Sequence, residues 1–141
     1  MGHLARLPEN PYNFLAWVIG EPDIGEGCWI GAFVTLDGSG GLTIGDGCQI
    51  GNGTQIITHD TIRRTLTDRE YDRVDRTPVA IGEQVFIGVN AVILRGARIG
   101  HHSIVAAGAV VLEDSEFPPY SMIAGNPAVR KGNVEKRMKG E

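Results

Sequence analysis

The chain has 141 residues, a net charge of -4, 42% hydrophobic and 21% charged residues. These values fit one folded domain and exclude a disordered chain, a dedicated nucleic-acid binder and a separate nucleotide-binding domain. Twenty glycines without a three-residue period exclude collagen, and no run reaches the ~18 apolar residues that a membrane helix needs.

The short apolar run Phe14-Leu15-Ala16-Trp17-Val18-Ile19 follows Pro8, Glu9 and Pro11 and reads poorly as a secretion signal. Two cysteines make no disulfide scaffold, so the expected location is cytoplasmic.

From Ile24 onward a six-residue period takes over. Ile24, Ile30 and Leu36 form one series; Ile44, Ile50 and Ile56 a second; Ile81, Ile87, Ile93, Ile99, Val105 and Val111 a third. Glycine often follows the aliphatic residue, as at Gly25, Gly45, Gly82 and Gly100. Four residues after the aliphatic position stands a small or β-branched residue: Cys28, Val34, Cys48, Thr54, Val85, Ala91, Ala97, Ser103 and Ala109. Neither a helical period nor simple alternation generates this pattern, and hexads of this kind predict a parallel β-helix.

Each hexad is a short strand and a turn, with the aliphatic residue pointing inward and the small one filling the corner. Three hexads close a triangular coil, and about four coils stack over residues 18–59 and 79–116. Three columns follow: Ile24-Ile44-Ile81-Ile99, Ile30-Ile50-Ile87-Val105, and Leu36-Ile56-Ile93-Val111. A prism this narrow has little room for large rings, which fits an aromatic content of 6%.

Two interruptions fall at the same corner. Gly38-Ser39-Gly40-Gly41 stretches one step from six residues to eight. A charged excursion over residues 60–78 carries Arg63, Arg64, Asp68, Arg69, Glu70, Asp72, Arg73, Asp75 and Arg76. Excursions beyond about 12–15 residues in compact domains commonly serve a site or grip a partner. The period stops near Glu113-Asp114-Ser115-Glu116, and a C-terminal segment of about residues 117–141 follows, with a short helix expected within 134–139.

The hexads resemble the hexapeptide-repeat acyltransferases, together with Thr58-His59-Asp60, Pro78-Val79-Ala80-Ile81-Gly82, Ala106-Ala107-Gly108-Ala109-Val110-Val111 and Ala124-Gly125-Asn126-Pro127-Ala128. The likeness is to the sugar O-acetyltransferases of the galactoside and maltose group and to polysaccharide-modifying relatives. It implies an all-β, left-handed parallel β-helix, a homotrimer with active sites between subunits, and acetyl-CoA as acyl donor. It also implies transfer of an acetyl group to a hydroxyl of a sugar or similar small acceptor.

In that family the histidine of this motif, here His59, is the general base. An imidazole of pKa about 6.5 suits proton removal from an alcohol near neutral pH. The other ring nitrogen needs an orienting partner, for which Asp37, Ser39 and Asp60 are candidates, with Asp37 first and Asp114 in reserve. Some of these side chains would instead contact the acceptor. No serine or cysteine nucleophile is required, because the donor is already a thioester, and Cys28 and Cys48 read as stacked fillers.

For the coenzyme, the strip Ala106-Ala107-Gly108 permits close approach of the pantetheine arm. The oxyanion needs a donor, for which a backbone N–H near Gly88 or Val89, or one from the neighbouring subunit, is a candidate. Phe86, where the family often has Trp, and Leu112 supply apolar cover. Arg130 and Lys131 are the favoured phosphate contacts, with Arg95, Arg98 and Lys136 also available.

Three other readings compete: an N-acetyltransferase on an amino sugar or aminoglycoside-like acceptor, a non-catalytic scaffold, and a zinc enzyme of the carbonic-anhydrase type. The last requires three converging imidazoles from His3, His59, His101 and His102. His101 and His102 are adjacent, and strand alternation predicts that their side chains diverge. No metal is expected.

Overall fold

The computed structural model describes residues 13–140. The hexads fold as short strands that recur on three faces. The first turn comprises β1 (Trp17–Ile19), β2 (Asp23–Ile24) and β3 (Trp29–Ile30). The second comprises β4 (Thr35–Asp37), β5 (Leu42–Ile44) and β6 (Gln49–Ile50). The third begins with β7 (Gln55–Ile56) and is interrupted by β8 (His59–Asp60), α1 (Ile62–Leu66) and β9 (Asp75–Arg76). It resumes with β10 (Val79–Ile81) and β11 (Phe86–Ile87). Next come β12 (Val92–Ile93), β13 (Arg98–Ile99) and β14 (Ile104–Val105), then β15 (Val110–Val111), β16 (Glu116–Phe117) and β17 (Ser121–Gly125). The chain ends with β18 (Ala128–Asn133) and α2 (Glu135–Met138), the short helix expected within 134–139.

The first face is β1-β4-β7-β12-β15, the second β2-β5-β10-β13-β16 and the third β3-β6-β11-β14-β17, with β18 added antiparallel to β17. Every other pairing within these faces is parallel. This is an all-β parallel solenoid, as the hexads predict, and it is consistent with the left-handed β-helix that the family resemblance implied. The register joins Ile24, Ile44, Ile81 and Ile99 on the second face. It joins Ile30, Ile50, Ile87 and Val105 on the third, and Leu36, Ile56, Ile93 and Val111 on the first.

The ladders run further than the hexad count of four. Val18 pairs with Leu36, Phe117 with Ile99 and Ile123 with Val105. Each face is therefore five parallel strands deep. The added strands lack regular hexads: β1 exposes Trp17, and β16 leads into Pro118-Pro119.

Apart from the half-buried Ile24 in the first turn, the inward aliphatic residues of the hexads are almost wholly buried, and so are the corner fillers Cys28, Val34, Cys48, Thr54, Val85, Ala91, Ala97, Ser103 and Ala109. Polar fillers have partners: the Cys28 and Cys48 thiols donate to the Gly45 and Gly82 carbonyls at 3.2 and 3.1 Å, and the Thr54 hydroxyl to Gly88 O at 2.9 Å. Burial pushes the Cys48 thiol up to about 11, so it stays protonated and inert at neutral pH.

Candidate active site

Both interruptions lie where the first face turns into the second. There the eight-residue step carries Asp37 at the end of β4, and the next turn carries His59 at the start of β8. Register places the two corners one above the other, since β4 pairs with β7. His59 Nδ1 contacts Asp37 Oδ2, and the Asp37 side chain is fully buried while that of His59 is 38% exposed.

The surrounding backbone holds the carboxylate in place. Asp37 Oδ1 accepts from Ser39 N–H and Oδ2 from Thr58 N–H, each at 2.9 Å. The Thr58 hydroxyl donates to Asp37 O at 3.0 Å and accepts from Gly40 N–H at 2.8 Å. This explains the glycine step: a Cβ on Gly40 would stand 2.4 Å from Thr58 O, so only glycine lets the loop close over Thr58.

Burial by itself would favour the neutral acid. Hydrogen bonds from Ser39 and Thr58, with His59 added, outweigh it and hold the Asp37 carboxyl well below the usual range. An ionised Asp37 accepts the Nδ1 proton, and the Nε2 lone pair is left free. Among the described residues no hydrogen bond reaches Nε2.

The excursion walls the open side of this ring. Two residue pairs, His59 with Arg76 and Asp60 with Asp75, close its base as an antiparallel ladder. Arg95, one turn further along the same corner, donates from Nε to Asp60 and from Nη1 to the Thr77 hydroxyl at 3.0 Å. Asp60 Oδ1 also accepts from the N–H of Ile62, the first residue of α1, at 3.0 Å. Burial opposes ionisation of Asp60, but Arg95 and Ile62 N–H lower its pKa overall. Helix α1 then faces His59 across a cleft of ≈ 430 Å³ lined by His59, Asp60, Thr61, Ile62, Thr65 and Leu66. Ile62 and Leu66 are 52% and 78% exposed and give the cleft an apolar side.

The candidate residues therefore divide. Asp37, Ser39, Asp60 and His59 come together, but Asp60 is bound by Arg95 and does not orient the imidazole. Arg95 is correspondingly occupied and does not stand free for phosphate. Leu112 lies on the same corner as His59, after β15, and is 44% exposed. Asp114 follows there with a positive φ of 59°.

Gly88 and Val89, after β11, and Ala106-Ala107-Gly108, after β14, occupy the corner between the third and first faces. The whole first face separates that corner from His59 within one chain. Phe86 projects from β11 and is 53% exposed. Arg130 and Lys131 lie on β18, and Arg130 Nε donates to the Ser121 hydroxyl at 2.9 Å.

Sequence reasoning missed the roles of Thr58 as a clamp and Arg95 as an anchor, and the helix α1; that the excursion walls a site was expected from its length and its start beside His59. Of the missed residues only Thr58 carried a signal, its place beside His59. The expected divergence of His101 and His102 is also corrected: their Nδ1 atoms are 2.9 Å apart. They sit in the bend after β13, with His102 at a positive φ of 55°, so strand alternation does not apply. Both lie on the corner between the second and third faces, away from His59, and His3 lies outside the described residues.

The profile described as the hexapeptide repeat of succinyl-transferase matches residues 23–57 and 78–113, the coils on either side of the excursion. The chain belongs to the hexapeptide-repeat acyltransferase family. Serine acetyltransferase 2 of Arabidopsis thaliana is 40% identical over 106 residues, covering 75% of this chain and 31% of that protein. A hexapeptide-repeat acetyltransferase of Vibrio cholerae, solved with acetyl-CoA, is 35% identical with a TM-score of 0.69, covering 81% of this chain and 61% of that one. A galactoside acetyltransferase solved with coenzyme A is 26% identical with a TM-score of 0.71, covering 89% and 65%. This hexapeptide-repeat chain spans about a third or less of the curated relatives first matched.

Proposed function

We propose that this chain is an acetyl-CoA-dependent acetyltransferase that moves the acetyl group to a hydroxyl of a sugar or similar small acceptor. The observation that carries the reading is the buried Asp37 carboxylate on His59 Nδ1, which leaves Nε2 free on a ring that lines a cleft. The solved relatives bound to acetyl-CoA and coenzyme A support the donor.

The proton balance is simple. His59 Nε2 takes the hydroxyl proton as the oxygen attacks the thioester carbonyl. Asp37 steadies the imidazolium that forms. The tetrahedral oxyanion, held by a backbone N–H of a neighbouring subunit such as that of Val89 (the Gly88 N–H is taken by Val105 O at 2.8 Å), collapses and expels the coenzyme thiolate. His59 returns its proton to that sulfur. Both substrates are present together, and no acyl-enzyme forms.

The chemistry requires a second chain. His59 and the small-residue strip Ala106-Ala107-Gly108 occupy different corners of one prism, so a neighbouring subunit would bring its strip to this cleft. That geometry supports a homotrimer with the coenzyme between subunits, Phe86 and Leu112 as apolar cover, and Arg130 and Lys131 towards the phosphates. Buried, unbridged Cys28 and Cys48 support a cytoplasmic setting. No described helix is long and apolar enough to cross a membrane.

The test is thiol release from acetyl-CoA with panels of neutral sugars, amino sugars and aminoglycosides. Saturable release with a neutral sugar supports the reading. Release with amines alone would move it to N-transfer, and no release with any acceptor would contradict it.

A further inference from the structure

The bend between β13 and β14 holds a second cluster, remote from the cleft. His101 and His102 bring their Nδ1 atoms to 2.9 Å, with the rings edge to face at 5.1 Å between centroids. Tyr120, on the next turn of the same corner, closes the cluster. Its ring stacks on His102 at 5.4 Å and meets His101 edge-on at 5.3 Å. The backbone is fixed as well: His102 N–H donates to Glu83 O and Tyr120 N–H to His101 O, both at 3.0 Å. His102 also lines a cleft of ≈ 250 Å³ with Gln84, Phe86 and Arg137, so the pair has an open side.

From this geometry we infer that His101 and His102 form a two-nitrogen chelate for a divalent late transition metal, Cu(II) before Ni(II) and Zn(II). Two imidazole nitrogens 2.9 Å apart, each about 2.0–2.1 Å from a shared ion, subtend about 90° at the metal. A tetrahedral ion would need them about 3.3–3.4 Å apart at the same bond length. A right-angled bite suits the tetragonal preference of Cu(II) and Ni(II), and the general affinity order places Cu(II) first.

Ordinarily two adjacent residues must be brought to such an approach by the ion. Here the positive φ of His102 and the Tyr120 ring already hold it, so little ordering remains for binding. Metal uptake displaces the proton shared between the two nitrogens and turns both lone pairs from each other towards the ion, with the nitrogen spacing kept. Among the described residues no third His, Cys, Asp or Glu joins the pair, so water or an exogenous ligand completes the sphere.

The experiment titrates Cu(II) into the full-length protein in a His3→Ala background, which removes the histidine outside the described residues. Calorimetry and electron paramagnetic resonance read the result. One Cu(II) per chain with a two-nitrogen tetragonal signal, lost in His101→Gln and in His102→Gln, is expected. The affinity should fall at least about tenfold in either variant and follow Cu(II) > Ni(II) > Zn(II). Unchanged binding in both variants, a one-nitrogen signal, or no saturation below about millimolar ion would overturn the inference. Far-ultraviolet circular dichroism of each variant separates a lost ligand from a lost fold.

Discussion

Asp37 and His59 are 22 residues apart in sequence and occupy the same corner on successive turns of the prism. The glycine-rich step between them lets the lower corner close around Thr58, and Thr58 in turn delivers its N–H to the carboxylate. The pair is thus built by the solenoid's own register and not by a local motif.

The first prediction concerns acid. Asp37 is held below its ordinary carboxylate value, so the unfolded chain takes up the proton first as pH falls. Its contribution to stability is present above about pH 4 and drains away below it, as the native value is approached. Asp60 acts in the same direction. Chemical denaturation from pH 6 to pH 2.5 should show this loss, with a shallower slope in Asp37→Asn. The same variant should lower kcat by between about 10- and 10⁴-fold, because an amide no longer fixes the tautomer.

The second concerns the excursion. Arg95→Met removes the clamp from Asp60 and Thr77 but leaves the core columns untouched. Proteolysis within residues 61–76 should accelerate at least about tenfold, since local opening needs only this anchor to fail. KM for the acceptor should rise more than kcat falls. An unchanged cleavage rate would show that the ladder of β8 and β9 suffices.

The third concerns Gly40. In Gly40→Ala the added carbon meets a backbone carbonyl that cannot swing away. A loss of about 1–3 kcal/mol of unfolding free energy, read by denaturant titration, is expected. Activity should fall too, since the same loop carries the Ser39 N–H bound to Asp37.

Much of this was legible in advance. The three aliphatic columns and the small corner residues follow from a six-residue period, because a narrow prism accepts only such residues at those places. The Asp37–His59 pair was legible for the same reason: two interruptions at one corner must stack. The terminal strands were hidden because β1 presents an outward Trp17 and β16 runs into two prolines. Arg95 was misread because its partner lies 35 residues earlier and no spacing rule links them. The meeting of His101 with His102 depends on one left-handed residue that sequence does not announce.

The fourth prediction follows from the buried thiols. Cys48, pushed up to about 11, should resist a thiol-reactive dye at pH 8 in the folded protein and react in denaturant. Labelling in the native state at the rate of a free thiol would contradict its place in the core.

The central claim is that His59 removes the acceptor's proton. The direct measurement compares the parent with His59→Ala, using thiol release for turnover and calorimetry for acetyl-CoA binding. Turnover should fall at least about 100-fold while coenzyme affinity stays within about threefold. A variant that keeps more than about a tenth of the parent rate would contradict a general base at this position.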